Sequence, residues 1–173
     1  MRRLARALVL FAIVVLAATS AAGGSRGAGS VHAPGRLSIR VPAGWHLLHG
    51  WLSDVSNPAP RVAAASFPVR LSRHTCECGS PNVVDFPRNG AFVFVWEYLH
   101  PSRRMLTRAP RRPSSFRLRA AEPQRFTCQG PSDGFTFKEQ GRYFQVEVYV
   151  GPGVAPTTRA RMLAMLDSLH ARQ

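Results

Sequence analysis

The run from Gly141 to Gly151 constrains the fold more than any other stretch. Phe144, Val146, Val148 and Val150 alternate with Tyr143, Gln145, Glu147 and Tyr149. A period of two puts the apolar set on one face of an extended strand. Upstream, Phe135 and Phe137 alternate with Thr136 and Lys138. The residues between, Glu139-Gln140-Gly141-Arg142, supply a turn in which Gly141 can take a positive φ. This pattern predicts a β-hairpin. Gly151-Pro152-Gly153 ends the second strand, and the helix predicted beyond it has an apolar side to lay on the hairpin. Met162, Leu163, Leu166 and Leu169 fall at helical spacing on that side, with Thr157 or Thr158 as the expected cap.

The N-terminus reads as a targeting segment. Arg2, Arg3 and Arg6 precede the apolar run Leu8–Leu16, and Ser20-Ala21-Ala22 offers small residues for cleavage. That order matches a secretory signal peptide over residues 1–22. The alternative is an uncleaved membrane anchor, but the apolar run falls short of the ~20 residues a spanning helix needs. Residues 23–35, rich in Gly, Ser, Ala and Pro, are expected to form a flexible linker. Residues 36–173 then make a single domain with room for a core. Secreted or extracytoplasmic placement follows, with membrane anchoring as the alternative.

Within that domain Leu37, Ile39 and Val41 mark a first strand, and Trp45 to Leu48 a short second one. Val62 to Phe67 is a third. Ser80-Pro81 looks like a helix start, predicting a helical turn through Val83 and Val84. Ala91 to Leu99 is the strongest strand. Phe92, Phe94, Trp96 and Tyr98 share one face, and Val93 and Val95 the other, so both faces should be covered. Glu97 interrupts the second face, either exposed or paired with an arginine. Residues 100–114 read as a loop, Phe116 and Leu118 as an edge strand, and Phe126 to Cys128 as another short strand. The expected fold class is α+β: an antiparallel sheet of about six to eight strands, packed by a C-terminal helix and a short helical turn.

The chain has three cysteines, Cys76, Cys78 and Cys128. Export favours a disulfide, and Cys76 and Cys78 are too close in sequence to pair readily with each other. Cys128 is expected to pair with Cys78, or alternatively with Cys76. The loop so closed is ~50 residues long, worth about 4 kcal/mol in the chain-entropy model. His74-Thr75-Cys76-Glu77-Cys78 could instead offer soft metal ligands, but the one-residue gap between cysteines is poor for structural zinc. No metal and no cofactor is therefore expected.

Gly130-Pro131-Ser132-Asp133-Gly134 matches the G-x-S-x-G string of a nucleophile elbow. That mechanism needs a helix directly after the serine, whereas a strand is predicted there. Pro-Ser-Asp-Gly is also a ready β-turn. A small envelope hydrolase using Ser132 is thus the alternative function, and a structural or assembly module without a ligand is a third.

Charge is the remaining signal. The chain carries 23 basic and 9 acidic residues, a formal net charge of +14, and Lys138 is its only lysine. From residue 103 to 125 stand Arg103, Arg104, Arg108, Arg111, Arg112, Arg117, Arg119 and Arg125, against Glu122 alone. Guanidinium forks grip carboxylate and phosphate well. The bland reading is a solvated loop and edge strand whose charges discourage edge pairing. The functional reading is an exported, non-enzymatic domain that binds an envelope component through this side. The partner would be an anionic polymer, a lipid headgroup at a membrane surface, or a protein; export disfavours nucleic acid.

Two stretches also resemble known proteins. Ile39-Arg40-Val41-Pro42-Ala43-Gly44-Trp45 resembles the opening strand and Pro-x-Gly-Trp turn of PsbP/Mog1-like domains. The block from Cys76 to Tyr98, with Gly141-Arg142-x-Phe144-x-Val146 and the closing Leu-Asp-Ser-Leu helix, resembles a group of uncharacterised exported actinobacterial proteins. The resemblance implies export and an α+β fold, and no activity.

Overall fold

The computed structural model describes residues 29–33, 35–72, 79–124 and 132–172. Cys76, Cys78, Cys128, His74, Arg125 and the strand expected at Phe126 to Cys128 lie outside the described residues, as does the signal segment.

The elements in chain order are β1 (Gly29–Ala33), β2 (Leu37–Val41), β3 (His46–Leu47), β4 (Ala59–Ala65), β5 (Ala91–Tyr98), α1 (Arg103–Arg108), β6 (Glu122–Gln124), β7 (Ser132–Glu139), β8 (Arg142–Val150), α2 (Pro156–Asp167) and β9 (His170–Ala171). They build a six-stranded sheet in the order β3-β4-β5-β8-β7-β6 and a three-stranded sheet in the order β1-β2-β9. Every pairing between these strands is antiparallel.

The hairpin is where the alternation puts it. Glu139 pairs with Arg142 across a two-residue turn, and Gln140 (φ 52°) and Gly141 (φ 75°) both take the left-handed conformation that such a turn requires. Strand β5 lies between β4 and β8, and seven of its eight residues are buried. One face of the large sheet carries Val93, Val95, Phe135, Phe137, Phe144, Val146 and Val148. Against it pack Met162, Met165, Leu166 and Leu169 from the C-terminal segment, and Leu37 and Ile39 from β2. Each of these fully buried side chains contributes roughly 1.5–3 kcal/mol relative to exposure. The other face carries Phe92, Phe94, Trp96 and Tyr149, covered by Leu52, Val83, Phe67 and Phe86 from the loops.

Several expectations are corrected. Strand β2 does not join the large sheet; it pairs with β1 and β9 in a sheet of its own. The left-handed pair Gly35 (φ 78°) and Arg36 (φ 55°) turns the chain back onto residues 29–33, so part of the expected linker is a strand. No helical turn follows Ser80. The segment instead pairs in β fashion, with Leu71 bridging Val83 and Val84 N–H donating to the Arg70 carbonyl. The expected loop at 100–114 contains α1, capped by Ser102 Oγ, which accepts from Met105 N–H at 3.2 Å. Helix α2 starts before both threonines. Pro156 occupies its first turn, where a missing N–H costs nothing. No described helix is long and apolar enough to cross a membrane.

Phe116 and Leu118 do not form an edge strand. Phe116 is 2% exposed and sits edge-on to Phe135 and Phe137, at centroid distances of 5.1 and 5.7 Å. Its N–H donates to Asp167 Oδ1 at 2.7 Å, and Leu118 begins a short 3-10 turn. The contact with α2 draws the chain across the sheet face instead of along its edge.

Candidate functional site

The arginine-rich segment wraps the outer edge of β7. Helix α1 lies on one side of that edge, where Lys138 Nζ donates to the Leu106 carbonyl at 2.6 Å. The chain then passes the edge at residues 110–112. Lys138 N–H donates to the Pro110 carbonyl at 2.8 Å, and Arg112 N–H donates to the Lys138 carbonyl at 3.0 Å. Beyond that point it crosses to the face covered by α2. Two cavities of about 230 and 370 Å³ open beside this crossing. Arg111 and Arg117 line the smaller with Phe116 and Phe135; Arg104 and Arg108 line the larger with Met105 and Tyr143. Pro110, Glu122 and Thr136 belong to both, so the cavities form one notch in the sheet edge.

Arg104 and Arg108 are four residues apart on α1 and therefore share a side of the helix. Arg117 directly follows the buried Phe116 and Arg111 precedes it by five residues; both arginines are exposed. Arg103 and Arg119 are exposed and line neither cavity. None of these six guanidinium groups has a carboxylate partner among the described residues.

Arg112 is different in kind. Its side chain is 9% exposed. Nε donates to the Leu169 carbonyl at 2.7 Å, Nη2 to the carbonyls of Leu166 and Asp167, and Nη1 to Pro113 at 2.9 Å. The guanidinium bonds carbonyls at and just beyond the end of α2, of which that of Leu166 also accepts from Leu169 N–H, and compensates the helix dipole. It also lies over the Phe116 ring, 5.4 Å from the centroid. Arg112 therefore leaves the surface group that the arginine density suggested.

Two buried carboxylates lie elsewhere. Glu97 is held between Arg61 Nε and Arg142 Nε, each at 2.7 Å, and Arg142 also donates to the Gly35 carbonyl at 2.6 Å. Burial opposes its ionisation, but hydrogen bonds and charge from Arg142 and Arg61 outweigh it, so the carboxyl titrates below its ordinary value. This triad ties the β1–β2 turn to the large sheet. Glu147, 4% exposed, is met by neutral donors: Trp96 Nε1 at 2.9 Å, Tyr149 OH at 2.9 Å and Ser80 Oγ at 3.0 Å. Its neighbour Gln145 accepts from Tyr98 OH at 3.2 Å. Burial raises the Tyr98 pKa, helped by Tyr143 and the Glu147 charge, so the phenol stays a donor. Both carboxylates are enclosed and saturated, which suits anchors better than binding groups.

Ser132 opens β7 and is 6% exposed, and its hydroxyl has no partner among the described residues. Seven further strand residues follow it. No three of His, Cys, Asp and Glu converge among the described residues.

Set against family models, curated proteins and solved structures, the chain matches none. The reading of the site therefore rests on its own geometry. Arginine density along the sequence does not separate Arg111 from Arg112. That distinction depends on which side chain meets the end of a helix more than fifty residues away.

Proposed function

We propose that this chain is an exported, non-enzymatic α+β domain that holds an anionic group of an envelope component in the notch beside β7. One observation carries the reading: four arginines without carboxylate partners among the described residues line two joined cavities at a single point of the sheet edge. Four positive side chains held this close repel one another, and an acidic ligand relieves that repulsion. Recognition of this kind is screened by salt. On an anionic matrix, Arg108→Ser with Arg111→Ser is expected to elute at clearly lower salt than the unaltered protein. Arg103→Ser with Arg119→Ser removes the same charge outside the notch and is expected to shift elution less. Equal shifts for both pairs would reduce the notch to bulk charge.

A small envelope hydrolase is the second reading, supported by the Ser132 hydroxyl, which has no partner among the described residues. The strand that follows the serine opposes it, because the elbow needs a helix there. Labelling by a serine-reactive probe that disappears in Ser132→Ala would favour the hydrolase.

A further inference from the structure

Among the described residues, the edge of β7 has one rung with no strand beside it. Across the two-residue turn, Glu139 and Arg142 bond to each other, so residues 139, 137, 135 and 133 direct their main-chain groups toward β8. Residues 138, 136, 134 and 132 direct theirs outward. Lys138 meets Pro110 and Arg112 there, while Gly134 and Ser132 lie opposite Glu122 and Gln124 of β6. Thr136 is left with its N–H and C=O pointing outward and no main-chain partner among the described residues. From Gly134 to Lys138 is about 13 Å of extended chain. The gap opens into both arginine-lined cavities, and Thr136 lines each of them.

The geometry points to an acidic peptide segment as the ligand: one extended residue pairs with Thr136, and consecutive acidic side chains enter the two cavities. An open N–H and C=O on one residue match the C=O and N–H of a peptide in strand addition. Successive side chains of an extended peptide point to opposite faces. The first acid then meets Arg104 and Arg108, and the next meets Arg111 and Arg117. Polymers and headgroups that carry only phosphate or carboxylate would satisfy the arginines but not Thr136. This inference deepens the anion-binding reading and rests on it.

Calorimetric titration of the exported protein at low salt tests it, with acetyl-Ala-Glu-Glu-Glu-Ala-amide as the probe. Binding is expected, and methylating the three glutamate nitrogens in turn should weaken it about tenfold at one position only. Thr136→Pro should cause a similar loss while the melting temperature stays within a few degrees, because Pro is tolerated where the N–H faces away from the ladder. Equal binding by all three methylated peptides, with Arg108→Ser/Arg111→Ser still weakening the parent, overturns the rung pairing and leaves the arginine notch standing. No effect of the arginine pair on peptide binding, or no binding of the parent peptide where glutarate binds, also overturns the peptide proposal. The first of these would take the notch reading down with it.

Discussion

Replacing Glu97 with alanine is expected to lower the stability of the fold by about 3–5 kcal/mol in urea titrations at neutral pH. The carboxylate is 8% exposed, and its partners Arg61 and Arg142 are 17% and 20% exposed. Deleting the acid leaves two positive groups facing each other in a largely dry site. It also frees Arg142 from the arrangement that grips the Gly35 carbonyl. The small sheet should loosen first, so protection from exchange should fall in β1 and β2 before β5. Glu97→Gln keeps the shape and removes the charge, which makes it the variant for a pH series. The folded-state pKa of Glu97 lies below the unfolded value of about 4.3. Its contribution is therefore complete above that value and lost as the pH falls through the folded pKa. The stability gap between the unaltered protein and Glu97→Gln should be flat near neutrality and shrink below about pH 4. A gap that stays constant to pH 2.5 would show that the charge contributes nothing.

Arg112→Ala is expected to be nearly as damaging, on the order of 3–4 kcal/mol, because the Asp167 and Leu169 carbonyls lose the guanidinium donor at once and a cavity opens beside Phe116. Arg112→Lys should recover only a small part. An ammonium cannot present a planar fork to carbonyls of Leu166, Asp167 and Leu169 together. Arg111→Ser, one residue earlier, should leave stability within about 0.5 kcal/mol, as surface substitutions usually do. If the two substitutions cost the same, the division between a structural and a surface arginine is mistaken.

That division shows how far the sequence was legible. Alternation in residues 135–150 and 91–98 placed the hairpin and the central strand, because a period of two has few other uses. The spacing of Met162, Leu163, Leu166 and Leu169 predicts the buried side of α2, although Leu163 is only partly buried, Met165 is buried with them and Leu169 lies just past the helix end. Alternation predicts β2 as a strand but not its sheet, since it says nothing about which edge a strand joins. The alternation of Phe-Arg-Leu-Arg predicts a strand at Phe116, yet its place is fixed by Asp167 and by two rings of β7. Glu97 stands out in its strand as a charge on an apolar face, and two arginines pair with it. The notch was out of reach altogether. It arises where β6 stops short and residues 110–112 start, and no local pattern encodes a missing rung.

Amide hydrogen exchange at Thr136, resolved by NMR, distinguishes an open rung from a filled one. Thr136 N–H should exchange quickly in the free protein while Phe135 and Phe137 on either side are protected by β8, and adding the triglutamate peptide should slow Thr136 selectively. Slow exchange at Thr136 without any ligand, comparable to that of Phe137, would mean that the rung is already filled and would contradict this expectation.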